Sequence, residues 1–210
     1  MNKSVLDNYH FSYAITMADV KKVVEYCKVT GYCAHDYETS GHHSSNPNGF
    51  PTCISIAFQP GYAYVIPLAH KDSPNKKGNK WLKILKYIGR ELIQNDRITK
   101  VAHNFKFEHG WWLKYGIKPR GVILDTMLLK YLLNEQRPHD LKSLAYSFFP
   151  DYANYSIKGE ETERTPEDTV KFWTNVPLET LAPYNALDSD LCLRLAIYLE
   201  SRVRELGFYQ

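Results

Sequence analysis

Asp36 and Glu38, in the run YCAHDYETSG, put two like charges on one face of what reads as a β-strand, because alternate strand residues share a face. Such a pair sits at a solvated edge or needs a neutralising partner. Two further pairs have helical spacing. Asn104 and Glu108 lie four apart in VAHNFKFEHGWW, just after a strand pattern. Tyr184 and Asp188 lie four apart in LAPYNALDSDLCLRLAIYLE, beside the stripe Leu187, Leu191, Leu195 and Leu199. Each pair would share one side of its helix. Taken singly, each has a plain structural explanation: a solvated edge, a helix N-cap with an early carboxylate favoured by the dipole, and a core tyrosine near a surface aspartate. Taken together, Asp36, Glu38, Glu108 and Asp188 form an all-oxygen donor set drawn from one strand, one helix start and one late helix. Hard donors without His or Cys suit Mg²⁺ or Mn²⁺ rather than zinc. Two such ions about 3.5–4 Å apart clamp a phosphodiester and stabilise both the attacking and the leaving oxygen of an in-line displacement.

The elements that must position these residues follow from periodicity. Thr16 with Asp19 opens a helix carrying Val20, Val23, Val24 and Cys27 up to Gly31. YCAHDYE, CISIAFQ and AYVIPL then read as three strands of a meander, separated by a Gly/Asn/Pro/Ser-rich turn region and by Pro60-Gly61. A helix over about 80–94 precedes short strands in RITKVAH and GVIL. This alternation predicts an α/β sheet with crossover helices. From Asp125 onward the chain reads as mostly helical: DTMLLKYLLN, HDLKSLAYSFF, and a long terminal helix to about Leu206 capped by Gly207. The stretch KGEETERTPED has few apolar anchors and is expected to be a mobile surface loop. The closing ELGFYQ leaves an aromatic pair without a visible partner and reads as a cut within a longer chain.

At 210 residues the chain suffices for one domain with a sizeable core. A formal net charge of +3 is too mild to announce a nucleic-acid partner by itself. No apolar run approaches the length of a membrane span, and the N-terminus lacks the apolar segment of a secretory signal, so an intracellular protein is expected. Cys27, Cys33, Cys53 and Cys192 are scattered without a C-x-x-C pair, which argues against disulfides and a zinc knuckle.

The segments HDYETSG, HNFKFE and YNALDSD resemble the three exonuclease motifs of the DnaQ-like (DEDD) superfamily, in the subtype with tyrosine in its third motif. The run FWTNVPLETLAPYNALDSDLCLRL, with DTMLLKYLL and HDLKSLA upstream, is similar to the 3′→5′ proofreading domain of family-A DNA polymerases, especially phage-type ones. The resemblance covers about residues 16–206. It implies an RNase H-like mixed sheet flanked by helices, with residues 1–210 forming one exonuclease domain and 1–15 a lead-in. It also implies a monomer in the cytoplasm (the host's, if phage-encoded), working with a polymerase domain in cis or trans. The activity implied is release of nucleoside 5′-monophosphates from the 3′ end of single-stranded DNA with two Mg²⁺ or Mn²⁺ ions. An RNase D-like exoribonuclease and a catalytically weakened polymerase scaffold are the alternatives.

Position by position, the resemblance has Asp36 bridging both metals, Glu38 and Asp188 completing the tighter site, and Glu108 serving the looser one. Tyr184 would orient the attacking water, and Thr39, His103 and Asn104 would contact the 3′-terminal nucleotides. Glu108 departs from the family, which usually has aspartate there. Other conspicuous residues have plainer roles: His42 and His43 in a solvated turn, Trp111 and Trp112 in the core, and Asp125 as a helix N-cap. The lysines at 76, 77, 80, 83 and 86 are expected to form a solvated face.

Overall fold

A computed structural model describes all residues except 1–4, 8, 42, 153–154, 159–161, 164 and 209–210. Among the described residues, six strands form one mixed sheet: β1 (Phe11–Tyr13), β2 (Tyr32–Thr39), β3 (Pro51–Gln59), β4 (Tyr62–Pro67), β5 (Thr99–Ala102) and β6 (Ile123–Asp125). Their spatial order is β1-β4-β3-β2-β5-β6. The expected meander is present as antiparallel β2, β3 and β4, while β1, β5 and β6 join in parallel. Strand β2, which carries the acidic pair, therefore lies inside the sheet between β3 and β5.

Strand alternation divides the core in two. Cys33 and Tyr37 of β2 and Ile54, Ile56 and Ile66 of the meander pack with Val20, Val23, Leu85, Trp111 and Trp112. These come from α1 (Met17–Thr30), α2 (Lys80–Ile88) and α3 (Phe105–Lys114). Ala34, Ala57, Val65 and Val101 face the other way, against α4 (Thr126–Leu133), α5 (Leu141–Phe148) and α7 (Leu178–Glu205). Both expected core tryptophans are fully buried, and Trp112 Nε1 donates to His35 Nε2 at 3.1 Å, tying α3 to β2.

Local signals explain the element ends. Thr16 and Asp19 make the reciprocal capping box of α1, with Asp19 N donating to Thr16 Oγ1 at 3.2 Å and Thr16 N to Asp19 Oδ2 at 2.9 Å. Gly31 ends the helix at φ 76°, a left-handed conformation that costs glycine little. Helix α7 docks on the β3–β4 turn: Gly61 N donates to Asp190 Oδ1 at 2.7 Å, and Arg194 Nε donates to Asp190 Oδ2 at 3.0 Å.

Three expectations need correction. Part of the 1–15 lead-in is a strand, β1, whose three residues are too few to show a period in sequence. The helix expected over 80–94 is α-helical only to Ile88 and continues as a π-helical turn, Gly89–Ile93, where a Cβ on Gly89 would fall within 2.4 Å of Ile117. The end of KGEETERTPED is not loop but the start of α6 (Pro166–Asn175). Thr165 accepts from Asp168 N at 3.2 Å, and Pro166 takes the first helical position. The middle of that stretch, like His42, lies outside the described residues. Among the described residues, no helix is long and apolar enough to cross a membrane.

Candidate active site

Strand β2 presents Asp36 and Glu38 to the α7 side of the sheet, opposite Ser55 and Cys53 of β3. Helix α7 meets them with polar atoms. Ser55 Oγ donates to the Asn185 carbonyl at 2.6 Å, and Asn185 Nδ2 donates to Asp36 Oδ2 at 2.8 Å. One turn past Tyr184, Asp188 completes a cluster: one carboxylate oxygen each from Asp36, Glu38 and Asp188 lie within 4.8 Å of one another. Burial, then the charge of Asp188, pushes Asp36 well above the ordinary carboxylate range, and the Asn185 hydrogen bond opposes this only in part.

Glu108 stands on the first turn of α3 and is only 2% exposed, yet its oxygen is not among the three that cluster. Its Oε2 is buried without a hydrogen-bond partner. Burial, followed by the charge of Asp36, pushes its carboxyl well upward. An orphaned buried carboxylate oxygen beside three converging carboxylates fits a hard divalent cation, because such a cation satisfies lone pairs that no protein donor reaches.

The turn that aims Glu108 is held from β6. Asn104 occupies the N-cap position of α3 in a left-handed conformation (φ 59°, ψ 55°) but makes no capping bond with its side chain. Asp125 does that work. Its carboxylate accepts from Asn104 N at 3.0 Å, from Phe105 N at 2.9 Å and from Met127 N at 3.0 Å. The expected N-cap of α4 thus also caps α3.

A family model described as 3′-5′ exonuclease matches residues 11–204. The chain belongs to the DnaQ-like (DEDD) 3′→5′ exonucleases. It is 30% identical over 147 residues to DNA polymerase I of Synechocystis, covering 69% of this chain and 14% of that one. It is 25% identical over 234 residues to DNA polymerase I of Treponema pallidum, covering 94% and 22%. It therefore spans less than a quarter of these relatives. Among solved structures, Brucella melitensis NrnC matches with TM-score 0.63 at 20% identity over 94% of this chain and 82% of that one. Escherichia coli RNase D matches with TM-score 0.66 at 18% identity, over 95% and 46%. These two likenesses establish the fold alone.

The structure gives the other expected residues of this exonuclease domain the following surroundings. Tyr184 is 6% exposed, its ring 6.3 Å from Trp173 and 5.6 Å from Tyr155, with Lys142 Nζ 5.0 Å above it. Thr39 follows a register shift in β2, and its hydroxyl donates to the Gly41 carbonyl at 2.8 Å. His103 pairs with Thr126 Oγ1 at 2.8 Å, and burial lowers its pKa. His103 and Asn104 line a cavity of about 480 Å³ with Arg137 and His139. Sequence reasoning missed Asn185, although it adjoins Tyr184 in the third motif. It also missed Tyr155, whose hydroxyl donates to Asp188 Oδ1. Tyr155 stands in an irregular segment with no periodicity to mark it.

Proposed function

We propose that this exonuclease domain removes nucleotides one at a time from the 3′ end of a single strand, with Asp36, Glu38, Glu108 and Asp188 holding two divalent ions, Mg²⁺ or Mn²⁺. The observation that carries this reading is the convergence of Asp36, Glu38 and Asp188 from β2 and α7 to within 4.8 Å. When bound, the cations would supply neutralisation of the phosphodiester charge and a lowered pKa for water. The protein's own part is placement. Asp36, steadied by Asn185, shares the cluster with Glu38 and Asp188. Tyr184, one turn before Asp188, would orient the attacking water, while Thr39, His103 and Asn104 would flank the terminal nucleotides. Water attacks phosphorus and the bond to the 3′ oxygen breaks. The products are a nucleoside 5′-monophosphate and a strand whose 3′ oxygen takes up a proton.

Deoxyribonucleotide strands, with a polymerase domain as partner in cis or trans, are the reading that the DNA polymerase relatives support. A second reading, RNA, has broader support from the fold. NrnC, 82% of which aligns here, has been seen bound to pGG and with bound Mg²⁺, and RNase D is described as an exoribonuclease. Sugar identity is read through contacts to the 2′-hydroxyl, so matched oligomers separate the two. The test is digestion of 5′-labelled and 3′-labelled DNA and RNA oligomers with Mg²⁺ and with chelator. Immediate release of the 3′ label as mononucleotide, stopped by chelator, is expected. Internal cleavage or full activity in chelator would overturn the reading, and inactivity on both strands would favour the scaffold alternative.

A further inference from the structure

Tyr155 lies outside the three motifs, yet it touches the candidate site at two points. It is 2% exposed, its hydroxyl donates to Asp188 Oδ1, and its ring lies 5.6 Å from the Tyr184 ring. Half-buried Lys142 sits over both rings, its Nζ 5.5 Å from the centroid of Tyr155 and 5.0 Å from that of Tyr184. We propose that Tyr155 is a positioning residue for the candidate metal site, fixing the Asp188 carboxylate through its hydroxyl in the orientation a divalent cation requires. The proposal rests on the metal-site reading above and adds a residue to it.

An aspartate on a helix turns broadly about its last torsion, so its placement on α7 does not by itself aim a particular oxygen. A donor that holds one oxygen fixes the other. A carboxylate has two oxygens with about four acceptor sites, so Oδ1 can keep the phenol while the second oxygen faces Asp36 and Glu38. The donor is itself held, because the Tyr155 ring is packed against Tyr184 and covered by Lys142. Asn185 stands in the same relation to Asp36, donating to Oδ2 of that carboxylate. Asp36 and Asp188 thus each have a buried neutral donor, one from α7 and one from the segment after α5.

A competing geometry makes the opposite forecast. If the phenol merely occupied the place of a cation, metal would have to displace it, and its removal would tighten binding. Positioning forecasts weaker binding, on the order of the 10- to 100-fold that outer partners of metal ligands contribute.

The test compares the wild-type chain with Tyr155→Phe, which removes one oxygen, by titrating Mn²⁺ without nucleic acid and following free Mn²⁺ by electron paramagnetic resonance. The expected result is a Kd raised roughly 10- to 100-fold. The Mg²⁺ concentration for half-maximal single-turnover rate should rise in parallel, with KM for the oligomer unchanged. In an Asp188→Asn background the same substitution should have no effect on Kd, which a merely structural role would not produce. An unchanged or lowered Kd in folded Tyr155→Phe overturns the proposal. Should that variant not fold, the wild-type chain answers: the Tyr155 hydroxyl proton, identified through its nuclear Overhauser contacts with the Tyr184 ring, should stay protected from exchange on Mg²⁺ addition. Loss of protection overturns the proposal. Wild-type Mn²⁺ binding indifferent to Asp36→Asn would overturn the metal reading itself, a distinct outcome.

Discussion

Asn185 of α7 and Asp36 of β2 are joined by a 2.8 Å hydrogen bond from Nδ2 to Oδ2, and the same amide reaches the Asp36 carbonyl at 3.2 Å. Helix and sheet are thereby registered at the carboxylate cluster itself. Asn185→Ala removes a buried donor and leaves Asp36 without it, so a stability loss of about 1–3 kcal/mol is expected by urea denaturation. Asn185→Asp should be worse than Asn185→Ala in chelator and should recover part of the difference with Mg²⁺, because it adds a like charge that only a cation relieves.

Asp36→Asn should abolish hydrolysis and raise the melting temperature of the metal-free chain at neutral pH. Burial and Asp188 raise the Asp36 pKa in the folded state, so ionising it opposes folding. That cost is full above the folded pKa and disappears as pH falls to the unfolded value of about 3.9. The advantage of Asp36→Asn should therefore be largest near neutrality and shrink in acid. A constant advantage across pH would remove charge crowding as its cause.

Glu108 carries one more methylene than an aspartate and its oxygens are not among the three that cluster, while Mg²⁺ demands near-ideal octahedral geometry. Activity should require high Mg²⁺ and improve with Mn²⁺, and Glu108→Ala should lose more than Glu108→Asp. Single-turnover rates of the three proteins against both metals check this. Equal rates for wild type and Glu108→Ala at every concentration would leave Glu108 without a metal role.

Outside the carboxylate cluster, His70 pairs through Nε2 with the Val176 carbonyl at 2.9 Å, while its Nδ1 accepts from Asp72 N at 3.1 Å. Accepting requires an unprotonated Nδ1, and burial lowers the His70 pKa, with the nearby Asp72 carboxylate opposing. The sign is that of a base charged more easily when unfolded. Stability should fall as pH drops below the unfolded value of about 6.5, with a slope of at most about 1.4 kcal/mol per pH unit from this group. His70→Gln should be less stable at neutral pH and should flatten this part of the profile.

Residues repeating at a fixed interval were the legible ones. Thr16 and Asp19 announced α1, short runs bounded by turn residues announced β2 to β4, and the three motif spacings marked Asp36, Glu38 and Asp188, which the fold brings together. Contacts without a period were silent. Tyr155 reaches Asp188 from an irregular segment, and β1 has too few residues to alternate. The Thr-Pro-Glu-Asp opening of α6 did carry a start signal, obscured by the charged residues before it. Asp125 was legible as the cap of α4, but nothing local says that the helix start after another strand will share its oxygens.

That sharing couples two helices in time as well as in space. With a single carboxylate accepting the amides of Asn104, Phe105 and Met127, the first turns of α3 and α4 are tied to one side chain. Loss of the Asp125 carboxylate would release both, so these amides should share the part of their opening free energy that this side chain supplies. The turn that aims Glu108 thus depends on a carboxylate that α4 also uses, so a perturbation at the start of α4 has a path to Glu108 through Asp125.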